Sequence, residues 1–284
     1  MVIKKQLNIA LPGKYGRPIP TDVFGTEEGK NKPVLIFCHG YKGFKDWGGW
    51  NLMAEDFAVK GITVVKFNFA FNGGTLEDPI DFPDLDAFGE NTYTKELDDL
   101  EVVIDWISSS DFPFAETTDL SRLSLMGHSR GGGVVVIKAA EDPRIQSLIT
   151  LAAVSDLGSR FPRGEELEAW KQKGIAYVEN MRTKQQMPHL FDFYEDFKQN
   201  EERFTISKSA KMLDIPTLII HGTEDPTVSV ESAEQLHKWI SGSEVFLLKG
   251  SDHVFEMSHP WKKDKLPAAM EKMIEKVSGF IKEI

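Results

Sequence analysis

Only one cysteine, Cys38, occurs in the 284 residues, so an internal disulfide is impossible and no pair of thiols is available for a metal site. Positive charge is also scarce. Lys and Arg number 33 against 44 Asp and Glu, a net charge of −11, which repels phosphate backbones and anionic headgroups, so neither nucleic acid nor a membrane is an expected partner. No apolar run is long enough to span a bilayer. The opening MVIKKQLNIALPG lacks the apolar core of a signal peptide, and a reducing cytoplasm is the expected location. Spacings of the H-E-x-x-H or EF-hand type are missing, as are G-x-x-x-x-G-K-[ST] and a G-x-G-x-x-G after a strand, so neither a metal nor any other cofactor is expected. There are no internal repeats or low-complexity tracts.

What is present reads as a globular core of alternating elements. Hydrophobic residues make up 41% and charged residues 27%, enough apolar surface for a sizeable core. At about 150 residues per domain the length leaves one or two domains open. Six short, near-continuous apolar segments stand out: residues 32–40, 62–69, 123–127, 147–153, 215–222 and 243–250. Strands buried on both faces of a parallel sheet have this pattern. Between them, residues 51–60, 94–108, 131–141, 231–240 and 266–282 carry helical periodicity, as in Leu97, Leu100, Ile104 and Ile107. Repeated strand, helix, strand units predict an α/β fold, a mostly parallel central sheet with helices on both faces. Residues 2–10 and 17–24 are expected to form an antiparallel edge pair, although Pro18 and Pro20 weaken the second strand. From Asp156 to Lys211 no strand is predicted, only two helical patterns: Leu167, Trp170, Ile175 and Val178, then Leu190, Phe193, Tyr194 and Phe197. The expectation is one domain over 1–284 with a small helical insertion at 156–211.

Gly127-His128-Ser129-Arg130-Gly131 follows the strand LSLM and opens the helical run GGVVVIKAA. This is G-x-S-x-G in the strand, turn, helix setting its chemistry needs, with the serine on a tight turn and glycines where neighbouring elements approach. A serine hydroxyl is a weak nucleophile until a base takes its proton, so a histidine and an acid are required elsewhere. His221-Gly222-Thr223-Glu224-Asp225 follows the strand IPTLII, and Asp252-His253 follows the strand EVFLL. The order Ser129, Asp225, His253 places each residue just past a strand's carboxyl end.

With these motifs the chain resembles the α/β-hydrolase superfamily from about Lys32 to the C-terminus, the insertion apart, and is similar to small microbial carboxylesterases of the cinnamoyl and feruloyl type. It also resembles the serine aminopeptidase-like and prolyl-oligopeptidase-like branches, which share the elbow and the HGTxDxxV segment. The resemblance implies Ser129 as nucleophile, His253 as general base and then acid, and Asp225 as the group that orients His253. Glu224, Asp252 and Asp156 are the other acids near these positions. The implied oxyanion donors are the backbone amides of Arg130, after the nucleophile, and Tyr41, in the loop His39-Gly40-Tyr41-Lys42-Gly43. The insertion stands where those carboxylesterases carry a lid, so Trp170, Phe191, Phe193 and Tyr194 are candidates to line an apolar or aromatic acyl pocket.

His39 and His221 are read as structural and His128 as pointing away from the nucleophile, with His189, His237 and His259 on the surface. The acidic stretch Asp78 to Glu90 is read as a solvated loop. The expected substrate is a small-molecule carboxylic ester, cleaved through an acyl-enzyme. Alternatives are a peptidase using Glu165, Glu166 and Glu168 to hold an amino terminus, a thioesterase on the same triad, and a non-catalytic binding protein of the same fold. Oligomeric state is left open.

Overall fold

Five of the six apolar runs are strands whose two faces are both covered, whereas 243–250 lies at the sheet edge and leaves Leu247 exposed. The computed structural model describes residues 2–284. In chain order its elements are β1 (Ile3–Pro12), β2 (Pro18–Thr26), β3 (Lys32–Cys38), α1 (Trp50–Val59), β4 (Thr63–Phe67), α2 (Leu85–Gly89), α3 (Tyr93–Ile107), β5 (Thr118–His128), α4 (Arg130–Glu141) and β6 (Ser147–Leu151). There follow α5 (Glu165–Lys173), β7 (Ile175–Glu179), β8 (Gln186–Leu190), α6 (Asp192–Gln199), α7 (Ile206–Met212), β9 (Thr217–Gly222), α8 (Glu231–Trp239), β10 (Glu244–Leu248) and α9 (Ala268–Glu283). Eight strands form one sheet in the order β1-β2-β4-β3-β5-β6-β9-β10. Pairing is parallel from β4 to β10 and antiparallel at β1-β2 and β2-β4.

Alternate residues of each strand point to opposite faces. In β3, Val34, Ile36 and Cys38 enter one core with residues of α3, α4 and α8, whereas Leu35 and Phe37 enter the other with α1 and α9. Neither face meets water, hence the unbroken apolar runs. The expected α/β architecture with helices on both faces is therefore present. The amino-terminal pair is also present, though only β1 is an edge, since β2 continues into β4.

The insertion differs from the expectation. Alongside α5, α6 and α7 it contains the antiparallel hairpin β7-β8, with Ile175 opposite Leu190 and Glu179 opposite Gln186. The physical reason is Gly174. In the left-handed region (φ 71°), it ends α5 with its amide bonded to the Trp170 carbonyl, so Ile175 and Val178 belong to a strand and not to a continued helix. The chain returns to the sheet beside the strand it left, since β9 pairs with β6.

One buried charge network fixes the loop after β3. Lys45 Nζ lies 2.8 Å from Asp22 Oδ2 and 2.6 Å from Asp46 Oδ2, while Lys66 Nζ lies 2.6 Å from both acids. Two cations and two anions compensate one another. Asp22→Asn would leave two buried lysines on one acid, and removing a partner from a buried pair costs about 3–5 kcal/mol. Urea unfolding should show that loss; a change below about 1 kcal/mol, the scale of a surface pair, would show that water reaches the network.

Candidate active site

The strand β5 runs straight into α4 through Ser129, whose φ of 56° and ψ of −119° are sparsely populated for a residue with a side chain. The turn exists because its neighbours are glycines. A β-carbon on Gly127 would lie 2.3 Å from the Gly131 carbonyl oxygen, and one on Gly131 would lie 2.4 Å from the His39 carbonyl oxygen. The same crowding presses the loop after β3 onto the elbow, where a β-carbon on Gly40 would lie 2.8 Å from Ser129 Cβ. The candidate nucleophile and the candidate oxyanion loop are thus in direct contact.

His253, in the turn after β10, lies with Nε2 3.0 Å from Ser129 Oγ and Nδ1 2.7 Å from Asp225 Oδ2. Asp225 follows β9, and its side chain is fully buried. Its other oxygen accepts from the Thr227 and Val228 amides at 2.8 and 2.9 Å. Burial alone would raise this carboxyl, but hydrogen bonds from His221, His253 and the Val228 amide outweigh it and hold the acid far below the usual carboxylate range. An ionised carboxylate only accepts, so the proton of His253 sits on Nδ1 and Nε2 is left to accept from the serine hydroxyl.

Two neighbouring histidines, His128 and His39, are kept neutral. Burial lowers His128 to about 3, with His253 nearby adding to the effect, and burial lowers His39 to about 4. His128 donates from Nε2 to the His253 carbonyl at 2.8 Å, which fixes the backbone of the candidate base. His221 Nε2 lies 2.8 Å from the Val228 carbonyl and 3.3 Å from Asp225 Oδ2. Among the described residues, no cluster of metal-ligating side chains occurs.

The other acids stand apart from the histidine. Asp252 accepts from the Val254 and Glu256 amides within its own turn, Asp156 accepts from the Gly158 and Ser159 amides, and Glu224 is exposed.

Three expectations need correction. His189 is half-buried and not a free surface residue: its Nε2 lies 2.7 Å from the Tyr41 hydroxyl, and burial lowers it to about 4, with Arg130 and Lys42 adding to the effect. His259 is half-buried and accepts from the Gly48 amide. The stretch Asp78 to Glu90 is not a plain solvated loop, because Asp84 caps α2 and Phe82 and Phe88 are buried with Phe44 and Met187. His237 is exposed, as expected.

The candidate pocket residues fall in different places. Trp170 donates from its indole to the His189 carbonyl at 2.8 Å and packs edge-on to Phe191, with ring centroids 5.4 Å apart. Phe193 stacks on His189 and meets Tyr93. Tyr194 lines a cavity of about 580 Å³ whose walls also include Phe161, Phe197, Phe204 and Trp239. Ser129, His253, Asp225, Tyr41 and Arg130 do not line that cavity. Ser155, which also lines it, follows Val154, whose amide donates to the Ser129 carbonyl.

Residues that motif reading passed over also converge here. Arg130 Nη2 lies 2.6 Å from Oε1 of Glu96, which is 1% exposed, and the Arg130 guanidinium lies over the Tyr41 ring. Burial pushes the Glu96 carboxyl up, while Arg130 and an Asn91 hydrogen bond pull it back. The available signal was a charge on the core face of α3, between Tyr93 and Leu100 in the helical repeat.

A family model described as alpha/beta hydrolase fold matches residues 87–257. Human monoacylglycerol lipase ABHD6 is 26% identical over 271 residues, covering 83% of this chain and 74% of that protein. Among solved structures, Est1E from Butyrivibrio proteoclasticus superposes with a TM-score of 0.69 at 18% identity, covering 98% of each chain. The same enzyme with ferulic acid bound gives 0.69 over 97% of this chain and 98% of that one. The complex of DcsB with its substrate analogue gives 0.73 at 17% identity, covering 99% of each chain.

Proposed function

Because the chain belongs to the α/β-hydrolase fold family, we propose that it is a serine hydrolase that cleaves carboxylic esters through an acyl-enzyme, the whole chain acting as one hydrolase unit with its insertion as a lid. The observation that carries this reading is the hydrogen-bonded line from Ser129 Oγ through His253 to the buried Asp225, at 3.0 and 2.7 Å. Ser129 Oγ attacks the ester carbonyl carbon as its proton passes to His253 Nε2, and Asp225 stabilises the imidazolium. The negative charge that develops on the carbonyl oxygen is met by the amides of Tyr41 and Arg130. Neither amide has an acceptor among the described residues. The tetrahedral intermediate then collapses, and the leaving alcohol takes the proton from His253. Water repeats the sequence in reverse roles and releases the acid.

An apolar or aromatic acyl group suits the rings gathered around the candidate oxyanion loop, where Tyr41 lies against Phe88 and His189, and His189 stacks on Phe193. A relative named monoacylglycerol lipase and a structural neighbour that holds ferulic acid support an ester as the bond cleaved.

Parallel assays test it. Labelling with a fluorophosphonate probe should modify Ser129 stoichiometrically, and p-nitrophenyl and hydroxycinnamoyl esters should be turned over faster than aminoacyl-p-nitroanilides or acyl-CoA. Labelling without ester turnover would reject the ester reading, and no labelling of the folded protein would reject the serine mechanism.

A further inference from the structure

The elbow needs only the backbone amide of Arg130, yet its side chain is drawn inward to 13% exposure beside the buried Glu96. Stability does not explain the pair, because buried ion pairs are weak stabilisers and Glu96 Oε2 has no hydrogen-bond partner. The pair does hold the guanidinium in place. Asn91 Nδ2 donates to Glu96 Oε1 at 2.7 Å, and the Arg130 guanidinium carbon lies 4.9 Å from the Tyr41 ring centroid and 5.9 Å from that of Tyr93. Tyr41 is held from the other side by its hydroxyl, which lies 2.7 Å from Nε2 of His189 on β8. Burial keeps that phenol protonated, pushed up to about 12, and His189 neutral, so one proton joins Tyr41 Oη and Nε2 and the bond persists throughout the ordinary pH range.

The two residues whose amides face the developing oxyanion are therefore stacked on each other through their side chains. Donors of this kind must stay within about 0.5 Å of the productive position, and a misplacement of about 1 Å can cost about 10²-fold in rate. We propose that Glu96 and His189 are positioning residues of the oxyanion hole: Glu96 pins Arg130 against the Tyr41 ring and His189 holds the Tyr41 hydroxyl, so that both amides converge beside Ser129 Oγ. This rests on the reading of Tyr41 and Arg130 as the oxyanion donors. It makes the insertion part of the chemical machinery, because β8 supplies one of the two holds.

The test uses Glu96→Gln, Tyr41→Phe, which keeps the ring and the amide, and His189→Phe, which keeps a ring against Phe193 and Phe88. Three quantities are measured on each: kcat and KM for p-nitrophenyl butyrate, Ki for an aryl trifluoromethyl ketone, and Ki for butyrate. Addition of Ser129 Oγ to the ketone carbon, with the proton taken by His253, creates an oxyanion in the hole, whereas butyrate binds without that bond. Each variant should lose about 10- to 100-fold in kcat with KM near the parent value, the range set by misplacing or losing a donor. The ketone Ki should rise by the same factor and the butyrate Ki should stay unchanged. Glu96→Gln combined with Tyr41→Phe should lose less than the product of the single losses, because both loosen one geometry.

If Glu96→Gln fails to fold, the other two variants decide, since neither removes a charge from a buried pair. Fluorophosphonate labelling of the parent separates the two levels. No labelling rejects the serine mechanism and this inference with it. Labelled parent protein, with Tyr41→Phe and His189→Phe keeping the parent kcat and ketone Ki, overturns the brace alone. A raised KM at unchanged kcat also overturns it, since these side chains would then bind substrate and not position the amides.

Discussion

Ser129→Ala is expected to lower kcat by about 10⁶-fold, the scale on which loss of a triad nucleophile removes the whole unit, while leaving the midpoint of thermal unfolding almost unchanged. The two outcomes separate because Oγ makes its hydrogen bond to His253 and carries no core packing. The strained backbone at φ 56° is imposed from outside, by the hydrogen bond that the Ser129 amide donates to the Leu151 carbonyl and by glycines packed against carbonyl oxygens. Alanine meets the same strain there as serine, so folding is not relieved or burdened by the change. Without the hydroxyl, His253 and the oxyanion amides can still act on a bound water, which leaves residual catalysis well above the uncatalysed rate. Initial rates on p-nitrophenyl esters, together with circular dichroism melting, check both halves. Activity near that of the parent would remove Ser129 from the mechanism. Loss of activity with a collapsed melting midpoint would make the effect structural.

How much of this site could be read from the amino-acid sequence depends on how local each signal is. The elbow was legible because its pattern occupies five consecutive residues: Gly127 and Gly131 are required by contacts that a β-carbon would violate at 2.3 and 2.4 Å, to Gly131 itself and to the His39 carbonyl. The Asp225 and His253 positions were legible for a similar reason, each lying a few residues past an apolar strand. The hairpin in the insertion was obscured because Ile175 and Val178 keep the three-residue spacing of a helix. The signal against that reading was Gly174, a C-terminal cap in plain view, and Pro188 further disguised β8. Phe82 and Phe88 were hidden by the acidic residues around them, which face outward while the two rings close over Phe44. His189 had no local signal at all. Its burial comes from Tyr41, 148 positions away, and from Phe88 and Phe193. Glu96 lies between these cases: its helical phase marked it as core-facing, but only the fold brings Arg130 to it.

Asp225→Asn should lower kcat by about 10⁴-fold, through the wrong histidine tautomer and not through loss of the fold. The carboxylate has two distinct sides. Oδ1 accepts from the Thr227 and Val228 amides, and Oδ2 faces His253 Nδ1 at 2.7 Å and His221 Nε2 at 3.3 Å. An asparagine must keep its carbonyl oxygen toward the two amides, since turning it round would set its NH₂ against two donors. Its NH₂ then faces His253 Nδ1 and needs an acceptor there. The imidazole answers by carrying its proton on Nε2, where it points at Ser129 Oγ and cannot take the serine's proton. His221 shares its Nε2 proton between the Val228 carbonyl and this side of the carboxylate, so it presents a donor and offers the asparagine NH₂ no acceptor. Glu224→Gln and Asp156→Asn should leave kcat near the parent value, because Glu224 is exposed and Asp156 spends its carboxylate on the Gly158 and Ser159 amides. Steady-state rates for the three variants on one ester settle the assignment: if either control is more damaging than Asp225→Asn, the buried acid beside His253 is not the one that orients it.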